Sequence, residues 1–462
     1  MSNVLLLRTF KGISIVRDKK NSKNKQAPFA PPLSLLYIAS SLIDHGHNVD
    51  FIEVTCESKP EIKIQRYLTA CDIVIINLLP GNQAESESLA QFIRKIKPEI
   101  PIIIQGLYCT INQIKALNDI PSANICIQGE AEHIINDLVM AIQGKVTLCE
   151  IPGILYRDNK IIRYAKPAIT INDLDKISFP ARHLVKNYDY GKLKGIYLCK
   201  PKFTSIITSR GCPNQCRFCT TRFINGPYRQ RSADNVFKEI KEINDNYNSV
   251  MIEDDNFLAD KKRAHKIFDR LIEHGIEIEM FIAGARVDSA DESLYKKMAK
   301  SGVKFLSFGI ESGNQEILNY YNKNVTISQI KKAVKLAVEN DIITWGNFIF
   351  GAPIETIDQM KETLDFSLSL PIDIAFYRHL SYQRGSKLWK EALSNNFIDI
   401  NTNFQLIGYN KTESLMTKEE ISKFCNMAFK RFYIRPSYIL REIFRSIKRN
   451  DFTILRSLYS AI

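Results

Sequence analysis

Residues Thr208–Cys219 read TSRGCPNQCRFC. Cys212, Cys216 and Cys219 fall within eight residues, separated by three and then two positions, so one loop can wrap a single metal centre. Thiolates are soft ligands that select zinc or iron–sulfur clusters. A structural zinc takes four protein ligands, commonly from two CxxC pairs, and no second pair exists here. Three readings follow: a set of buried structural thiols, a zinc site completed from afar by His183 or Cys199, or a cubane cluster with three thiolates and one open iron. The density of the cysteines favours the last.

Working outward, the loop is preceded by the apolar run Phe203–Thr208 and followed by a regular alternation. Strand-like runs recur at Ser249–Glu253, Glu277–Ala283, Lys304–Ile310, Ile342–Phe350 and Ile372–Tyr377. Helical periodicity separates them at Asn235–Ile243, Lys262–His274, Glu292–Ser301, Ser328–Asn340 and Thr356–Leu368. Six βα units over 201–400 predict a barrel of the TIM kind, complete or partial, with its active face at the C-terminal strand ends. The cysteine loop lies at that face. So do three other segments. Glu253-Asp-Asp-Asn-Phe257 carries three adjacent carboxylates, which must meet cations or donors if buried together. Phe308-Gly-Ile-Glu311-Ser-Gly313 offers a carboxylate, and Gly346–Glu355 (GNFIFGAPIE) has glycines that allow close backbone approach. Arg286, in GARVDS, could balance a ligand carboxylate or serve a structural role.

Upstream, residues 1–147 show a second α/β series. Asn3–Leu7, Asn48–Val54, Asp72–Leu79, Pro101–Gln105 and Asn124–Gln128 read as strands, several of them continuously apolar as in parallel sheets covered on both faces. Helices are expected over Pro32–His45, around Leu89–Ile96 and over Glu130–Ile142, with a lysine-rich insertion at Lys19–Lys25. This describes a doubly wound, Rossmann-like domain, whose ligand loops follow the strands at Asn77–Gln83, Gly106–Thr110 and Gly129–Glu132. No GxGxxG fingerprint or P-loop is present. Residues 148–200 form a connector with a hairpin at Ile151–Arg163, and 401–462 turn helical, polar and basic.

The triad resembles the signature of the radical S-adenosylmethionine enzymes: CxxxCxxC after the first strand of a partial (β/α)6 barrel, with an aromatic residue, here Phe218, before the last cysteine. That resemblance implies a [4Fe–4S] cluster on Cys212, Cys216 and Cys219, with the open iron chelated by S-adenosylmethionine. It implies reductive cleavage to a 5′-deoxyadenosyl radical, with the electron drawn from a donor such as a flavodoxin or ferredoxin. Carried over position by position, it assigns Phe218, Glu253, Asp255, Arg286, Glu311, Gly351 and Glu355 to the S-adenosylmethionine site. PPLSLLYIASSLIDHGHNVDFIE, LDKISFPARHLV and RFYIRPSYIL resemble the branch with an N-terminal cobalamin-binding domain, so the likeness spans nearly the whole chain. In that domain it points to Asn77, Gly106, Tyr108 and Gly129 as cobalamin neighbours. The chain departs from the pattern in QGLYCT, QGEAE and the SYQRGS loop at Ser381–Ser386, and it has no DxHxxG motif, since Asp44, His45 and His47 lie at the wrong spacing. The implied reaction is methylation of an unactivated carbon in a small-molecule or lipid-like substrate. A cyclisation or rearrangement without net methylation, and a non-catalytic cofactor-binding sensor, are the alternatives. A two-cysteine methylation route would need Cys199 or Cys425 in the barrel mouth, and both suit inert core thiols better.

The 462 residues are 45% apolar and 24% charged, the balance of a globular protein. The sequence is read as cytoplasmic, for it shows no secretory signal or membrane span, and in a reducing compartment ten cysteines point to metal or catalysis rather than disulfides. Of the +13 net charge, residues 423–462 hold nine basic against two acidic residues, a net of +7. There Leu440, Phe444 and Ile447 share one helical face and Arg441, Arg445 and Lys448 another. Such a helix either docks with a solvated basic face or makes peripheral contact with an anionic membrane. Nucleic acid is not expected, because no binding module accompanies the charge.

Overall fold

The structure, a computed structural model, describes residues 1–10, 28–159, 161–193, 195–408 and 413–459; the insertion at Lys19–Lys25 lies outside them. The chain divides into two compact units, Met1–Tyr190 and Gly191–Ile462.

The first unit runs β1 (Asn3–Arg8), α1 (Leu33–Asp44), β2 (Asn48–Glu53), α2 (Pro60–Leu68), β3 (Ile73–Asn77), α3 (Gln83–Ile96), β4 (Ile102–Gln105), α4 (Leu107–Asn112), α5 (Ile114–Asp119), β5 (Ile125–Ile127) and α6 (Ile135–Ile142). The strands are parallel in the order β2-β1-β3-β4-β5. Leu5, Leu7, Val74, Ile76, Ile102 and Ile104 pack with Ile64 of α2, Leu89 and Ile93 of α3 and Leu117 of α5. The alternate residues Val4, Leu6, Ile75 and Ile103 are equally buried, so both faces of the sheet are covered. Helix α2 is additional to the sequence expectation; only Pro60, Ile64 and Leu68 of its nine residues are buried, a stripe too thin to signal itself. Helix α6 starts at Ile135 rather than Glu130, because Gly129 is left-handed and the Glu130 carboxylate is engaged by the Ile171 N–H. The hairpin β6 (Ile154–Asp158) and β7 (Ile161–Tyr164), expected in a connector, pairs antiparallel with β5 and extends this sheet, with Leu155 in its core.

The second unit opens with a small hairpin, β8 (Lys192–Leu193) and β9 (Ile196–Tyr197), before the first barrel strand, β10 (Phe203–Ile206). The cysteine loop follows, flanked by the paired β11 (Ser209–Arg210) and β12 (Arg229–Gln230), with α7 (Thr221–Asn225) between them. Then come α8 (Ala233–Asn244), β13 (Ser249–Ile252), α9 (Lys261–Glu273), β14 (Glu279–Ala285), α10 (Glu292–Lys300), β15 (Val303–Glu311), α11 (Gln315–Tyr320), α12 (Ile327–Glu339), β16 (Ile343–Phe350), α13 (Ile357–Ser369) and β17 (Ile374–His379). The six barrel strands are parallel and adjacent in chain order, β10-β13-β14-β15-β16-β17. Among the described residues β10 and β17 do not pair, so the barrel is partial. Each helix is placed by its own signals: Ser232, Asp260, Asp291, Thr326 and Thr356 accept from the first turns of α8, α9, α10, α12 and α13.

After β17 come the short pair β18 (Ser381–Gln383) and β19 (Phe404–Leu406), with α14 (Lys387–Ser394) between them, and then α15 (Lys418–Tyr433), α16 (Pro436–Arg449) and α17 (Thr453–Tyr459). Helix α15 covers the free edge of β17: the Tyr433 hydroxyl accepts from the Ala375 N–H at 3.0 Å and donates to the Ala375 carbonyl at 2.9 Å. Its Phe424 and Phe432 pack on Phe350 and Tyr377. Helix α16 corrects the expectation of a solvated or lipid-facing basic side. Its guanidinium groups turn inward to the N-terminal ends of the strands. Arg445 and Arg449 pair with the fully buried Asp373 carboxylate at 2.7 and 3.2 Å, and Arg441 donates to the Ile372 carbonyl. Lys448 pairs with Asp341 at 2.8 Å. The apolar residues face outward: Leu440 is 68% exposed, Phe444 72% and Ile447 64%. Buried carboxylates at the start of β17 outcompete the hydrophobic preference because an unpaired buried charge costs more than an exposed leucine. Asp373→Ala is therefore expected to lower the unfolding free energy by about 3–5 kcal/mol in denaturant titrations; a loss under about 1 kcal/mol would mean that Glu442 alone suffices for these arginines.

Candidate functional site

The cysteine loop is held at its entrance by the middle one of the three adjacent carboxylates, which the sequence analysis did not assign to the site. Asp254, fully buried just beyond β13, accepts from the Thr208 N–H at 2.6 Å, the Thr208 hydroxyl at 2.5 Å and the Ser209 hydroxyl at 2.6 Å. Arg263 of α9 lies 4.0 Å from it and donates to Thr208 Oγ1. Burial raises the Asp254 pKa, and Arg263 with these donors opposes the shift. Asp255 holds the far side of the loop, accepting from the Gly211 N–H at 3.2 Å, the Thr221 hydroxyl at 3.0 Å and Asn225 at 2.9 Å. Glu253 stands half-buried at the same strand end.

All three cysteines of the loop are free thiols; Cys219 is exposed, and Cys212 and Cys216 are half-buried. Asn214 lies 3.7 Å from Cys212 Sγ, and the Thr221 N–H lies 3.5 Å from Cys219 Sγ. Arg286 Nη1 is 3.7 Å from Cys216 Sγ. Burial pushes the Cys216 thiol up, against the opposing fields of Lys323 and Arg286. Among the described residues no three Cys, His, Asp or Glu side chains converge as the ligands of a single ion do. A polynuclear cluster makes a different demand, since each thiolate binds its own iron. Cys199 cannot serve this loop as a fourth ligand. It is buried just before β10, near Glu279 and Lys304, which lie at the N-terminal strand ends.

From Cys216 a continuous polar chain leads to Glu311. Arg286 is held by Asp288 at 2.9 Å and donates to the Lys323 carbonyl at 2.6 Å. Lys323 Nζ in turn meets Glu311 Oε1 at 2.7 Å, and both side chains are over nine-tenths buried. The β15–β16 register shifts between Gly309 and Glu311, and Glu311 sits at φ +67°, so a bulge aims its carboxylate. The segment Tyr320–Asn324 is the part sequence reading missed. Tyr321 accepts from the Arg217 N–H at 2.9 Å, Asn322 donates to the Gln215 carbonyl, and Phe218 packs edge-on to Tyr321 at 5.2 Å. The available signal was the pair of asparagines at Asn322 and Asn324, both left-handed, framing the buried lysine.

Beyond β16, Gly351 is left-handed at φ +93°, and a side chain there would meet Ile421. Glu355 folds back to accept from the Gly351 and Ala352 N–H groups at 2.6 and 3.1 Å. Its other oxygen has no partner, and burial pushes its pKa up to about 7.

In the first unit, Asn77 ends β3, and Gly106 and Gly129 lie on the loops after β4 and β5, but Tyr108, in α4, is drawn into the core. It is 8% exposed and donates its hydroxyl to Asp119. Gly106, at φ +126°, allows the chain to pass Asn77; a Cβ there would stand 2.9 Å from Asn77 Nδ2 and 2.7 Å from the Leu78 carbonyl. The Gly129 N–H donates to Thr110. Among the described residues, Gln105 Nε2, Gln128 Nε2 and Thr9 Oγ1, all just at or beyond the strands' C-terminal ends, are buried and find no hydrogen-bond partner.

The raised Glu355 pKa makes a pH prediction. A carboxyl that binds its proton more tightly when folded stabilises the fold at low pH, and that contribution is lost as pH rises from about 4.5 to about 7. The slope is at most about 1.4 kcal/mol per pH unit. Glu355→Gln is expected to flatten the unfolding free energy over this window in cofactor-free protein; identical profiles for the two proteins would contradict the assignment.

Comparison with known proteins agrees with this arrangement. The profile of the radical SAM superfamily matches residues 206–367. An uncharacterized methyltransferase of Pyrococcus horikoshii is 30% identical over 445 residues, which is 93% of this chain and 95% of that one. Cytidylyl-2-hydroxyethylphosphonate methyltransferase of Streptomyces wedmorensis is 26% identical over 80% of this chain and 79% of its own. Two solved structures share the fold. The radical S-adenosylmethionine methyltransferase TsrM of Kitasatospora setae, with cobalamin and a [4Fe–4S] cluster bound, superposes with TM-score 0.70 at 18% identity, over 86% of this chain and 75% of that one. The cobalamin-dependent enzyme OxsB, with aqua-cobalamin and S-adenosylmethionine bound, gives TM-score 0.74 at 18% identity, over 92% of this chain and 66% of that one. With its Rossmann-like unit ahead of a partial barrel and its cysteine loop after the first barrel strand, the chain belongs to the radical S-adenosylmethionine enzymes, and it shares the fold of these two cobalamin-bound structures.

Proposed function

We propose that this chain is a cobalamin-dependent methyltransferase that acts on an unactivated carbon of a small-molecule or lipid-like substrate. The observation that carries the reading is the continuous chain of polar contacts from Cys216 through Arg286 and the Lys323 carbonyl to the buried Lys323–Glu311 ion pair, at the C-terminal ends of the barrel strands. The residues fit the implied groups. Three unbridged thiols on one short loop, beside a buried arginine, suit a cluster whose net charge is negative. The unpartnered amides of Gln105 and Gln128 and the Thr9 hydroxyl suit a ligand as rich in polar rim groups as cobalamin. Relatives named as methyltransferases support methyl transfer as the outcome.

In this reading Cys212, Cys216 and Cys219 hold the cluster, and Asn77, Gly106 and Gly129 border the cobalamin site, with Tyr108 behind them as support. When bound, the cluster supplies one electron for breaking the sulfonium of S-adenosylmethionine, and cobalamin supplies a carrier for a methyl group. The chain's own contribution is position. Asp254 and Asp255 fix the two sides of the loop, so that cluster ligation does not have to order it. Lys323 occupies one oxygen of Glu311 and leaves the other to accept ribose hydroxyls. Arg286 already carries Asp288, so it holds the loop and balances thiolate charge more than it seeks a ligand carboxylate. Gly351 and Glu355 shape the wall against which adenine would lie, and Phe218 packs on Tyr321 just before the exposed last cysteine. Glu253, half-buried at the end of β13, is the carboxylate assigned to the amino group of S-adenosylmethionine. The electron enters from a small redox protein of the flavodoxin or ferredoxin type.

Anaerobic reconstitution with iron and sulfide should load about four irons per chain, and addition of reductant and S-adenosylmethionine should release 5′-deoxyadenosine. Cys216→Ala should lose the irons while keeping its circular dichroism. Reduced, cluster-loaded protein that leaves S-adenosylmethionine intact would overturn the enzyme reading; cleavage without a cobalamin spectrum under saturating cobalamin would overturn the methyl carrier alone.

A further inference from the structure

The outward face of α16 is the least expected surface of the molecule. Ile439, Leu440, Ile443, Phe444 and Ile447 are 40–72% exposed and recur at helical spacing along nearly three turns. Ile434, at the turn before the helix, is 59% exposed as well. Stripes of this size on a protein surface mark interaction sites. The basic side of the helix cannot turn to replace it, because Arg441, Arg445 and Arg449 are committed to Ile372, Asp373 and Glu442.

The charged frame of the stripe identifies its occupant. Between Lys423 and Arg449 the chain has a single acid, Glu442, and it is buried. The exposed charged residues in that span are Lys423, Lys430, Arg431 and Lys448. A second copy of the chain, related by a two-fold axis, would bring these cations against their own images. A nucleic acid would use the cations and leave the aliphatic stripe in water. Lys448 is paired with Asp341, and the exposed charges that the segment adds beyond that pair are all cationic; an apolar stripe on such a segment matches an anionic bilayer surface, where apolar side chains enter the headgroup–acyl boundary and lysines and arginines meet lipid phosphates.

We propose that α16 is a peripheral membrane-docking helix, entering through its apolar face, with its arginines serving as the anchor to the barrel rather than as the lipid contact. The full-length protein should co-sediment with vesicles of phosphatidylcholine containing about 30 mol % phosphatidylserine, and more weakly with phosphatidylcholine alone. Leu440→Ser with Phe444→Ser, both on the exposed face, should leave thermal unfolding unchanged and weaken vesicle binding at least about tenfold, because each buried large apolar side chain contributes a factor of that order. Lys430→Gln with Arg431→Gln should weaken binding to anionic vesicles only. Equal sedimentation of the wild type and the Leu440/Phe444 variant would overturn the proposal. So would light scattering that shows a dimer of the wild type, lost in that variant, with no vesicle binding by either.

Discussion

The buried carboxylate of Asp254 is the contact on which the site depends. It is cut off from water, and its charge is tolerable only because Thr208, Ser209 and Arg263 surround it with donors. Thr208 and Ser209 are also the first residues of the cysteine loop. Solvating the carboxylate and positioning the loop are therefore one event, and the loop is built as soon as β10 and β13 pair. The remaining order propagates from there: Asp255 holds the loop's other side, and the turn at Tyr320–Asn324 fixes its middle.

The same logic explains why the C-terminal segment folds against hydrophobic expectation. The partial barrel leaves Asp373 buried at the N-terminal end of its last strand, and among the described residues the cations that reach it come from α16. The aliphatic face is left outside as a consequence. In the cysteine loop and in α16 alike, a desolvated carboxylate dictates the course of a segment whose apolar pattern alone points elsewhere.

Much of this was legible in the sequence. Leu5–Leu7, Ile73–Ile76 and Ile102–Ile104 announced a parallel sheet because residues buried on both faces must be apolar throughout. The barrel units were marked by apolar runs and helical periodicity, and the cysteine spacing named its own chemistry. What escaped has a common physical cause. Lys323, Asp254 and Arg263 act through partners distant in sequence, and a buried ion pair leaves no periodicity behind. Arg441 and Arg445 read as solvated because a basic helical face normally is, and nothing local revealed that Asp373 waited for them. Tyr108, on a ligand loop by position, turned inward, its ring packing in the core and its hydroxyl reaching the half-buried Asp119.

The two hydrogen bonds between the Tyr433 hydroxyl and Ala375 have a wider meaning for how this barrel can be divided. A barrel that does not close leaves a last strand with its peptide groups free, and a free strand edge recruits other strands. One phenol, serving as both donor and acceptor, stands in for part of the missing neighbour. The helical tail is thus a component of the barrel rather than an appendage. A fragment ending after β17 would expose a sticky edge and tend to aggregate, so the natural unit for dissection extends through α15.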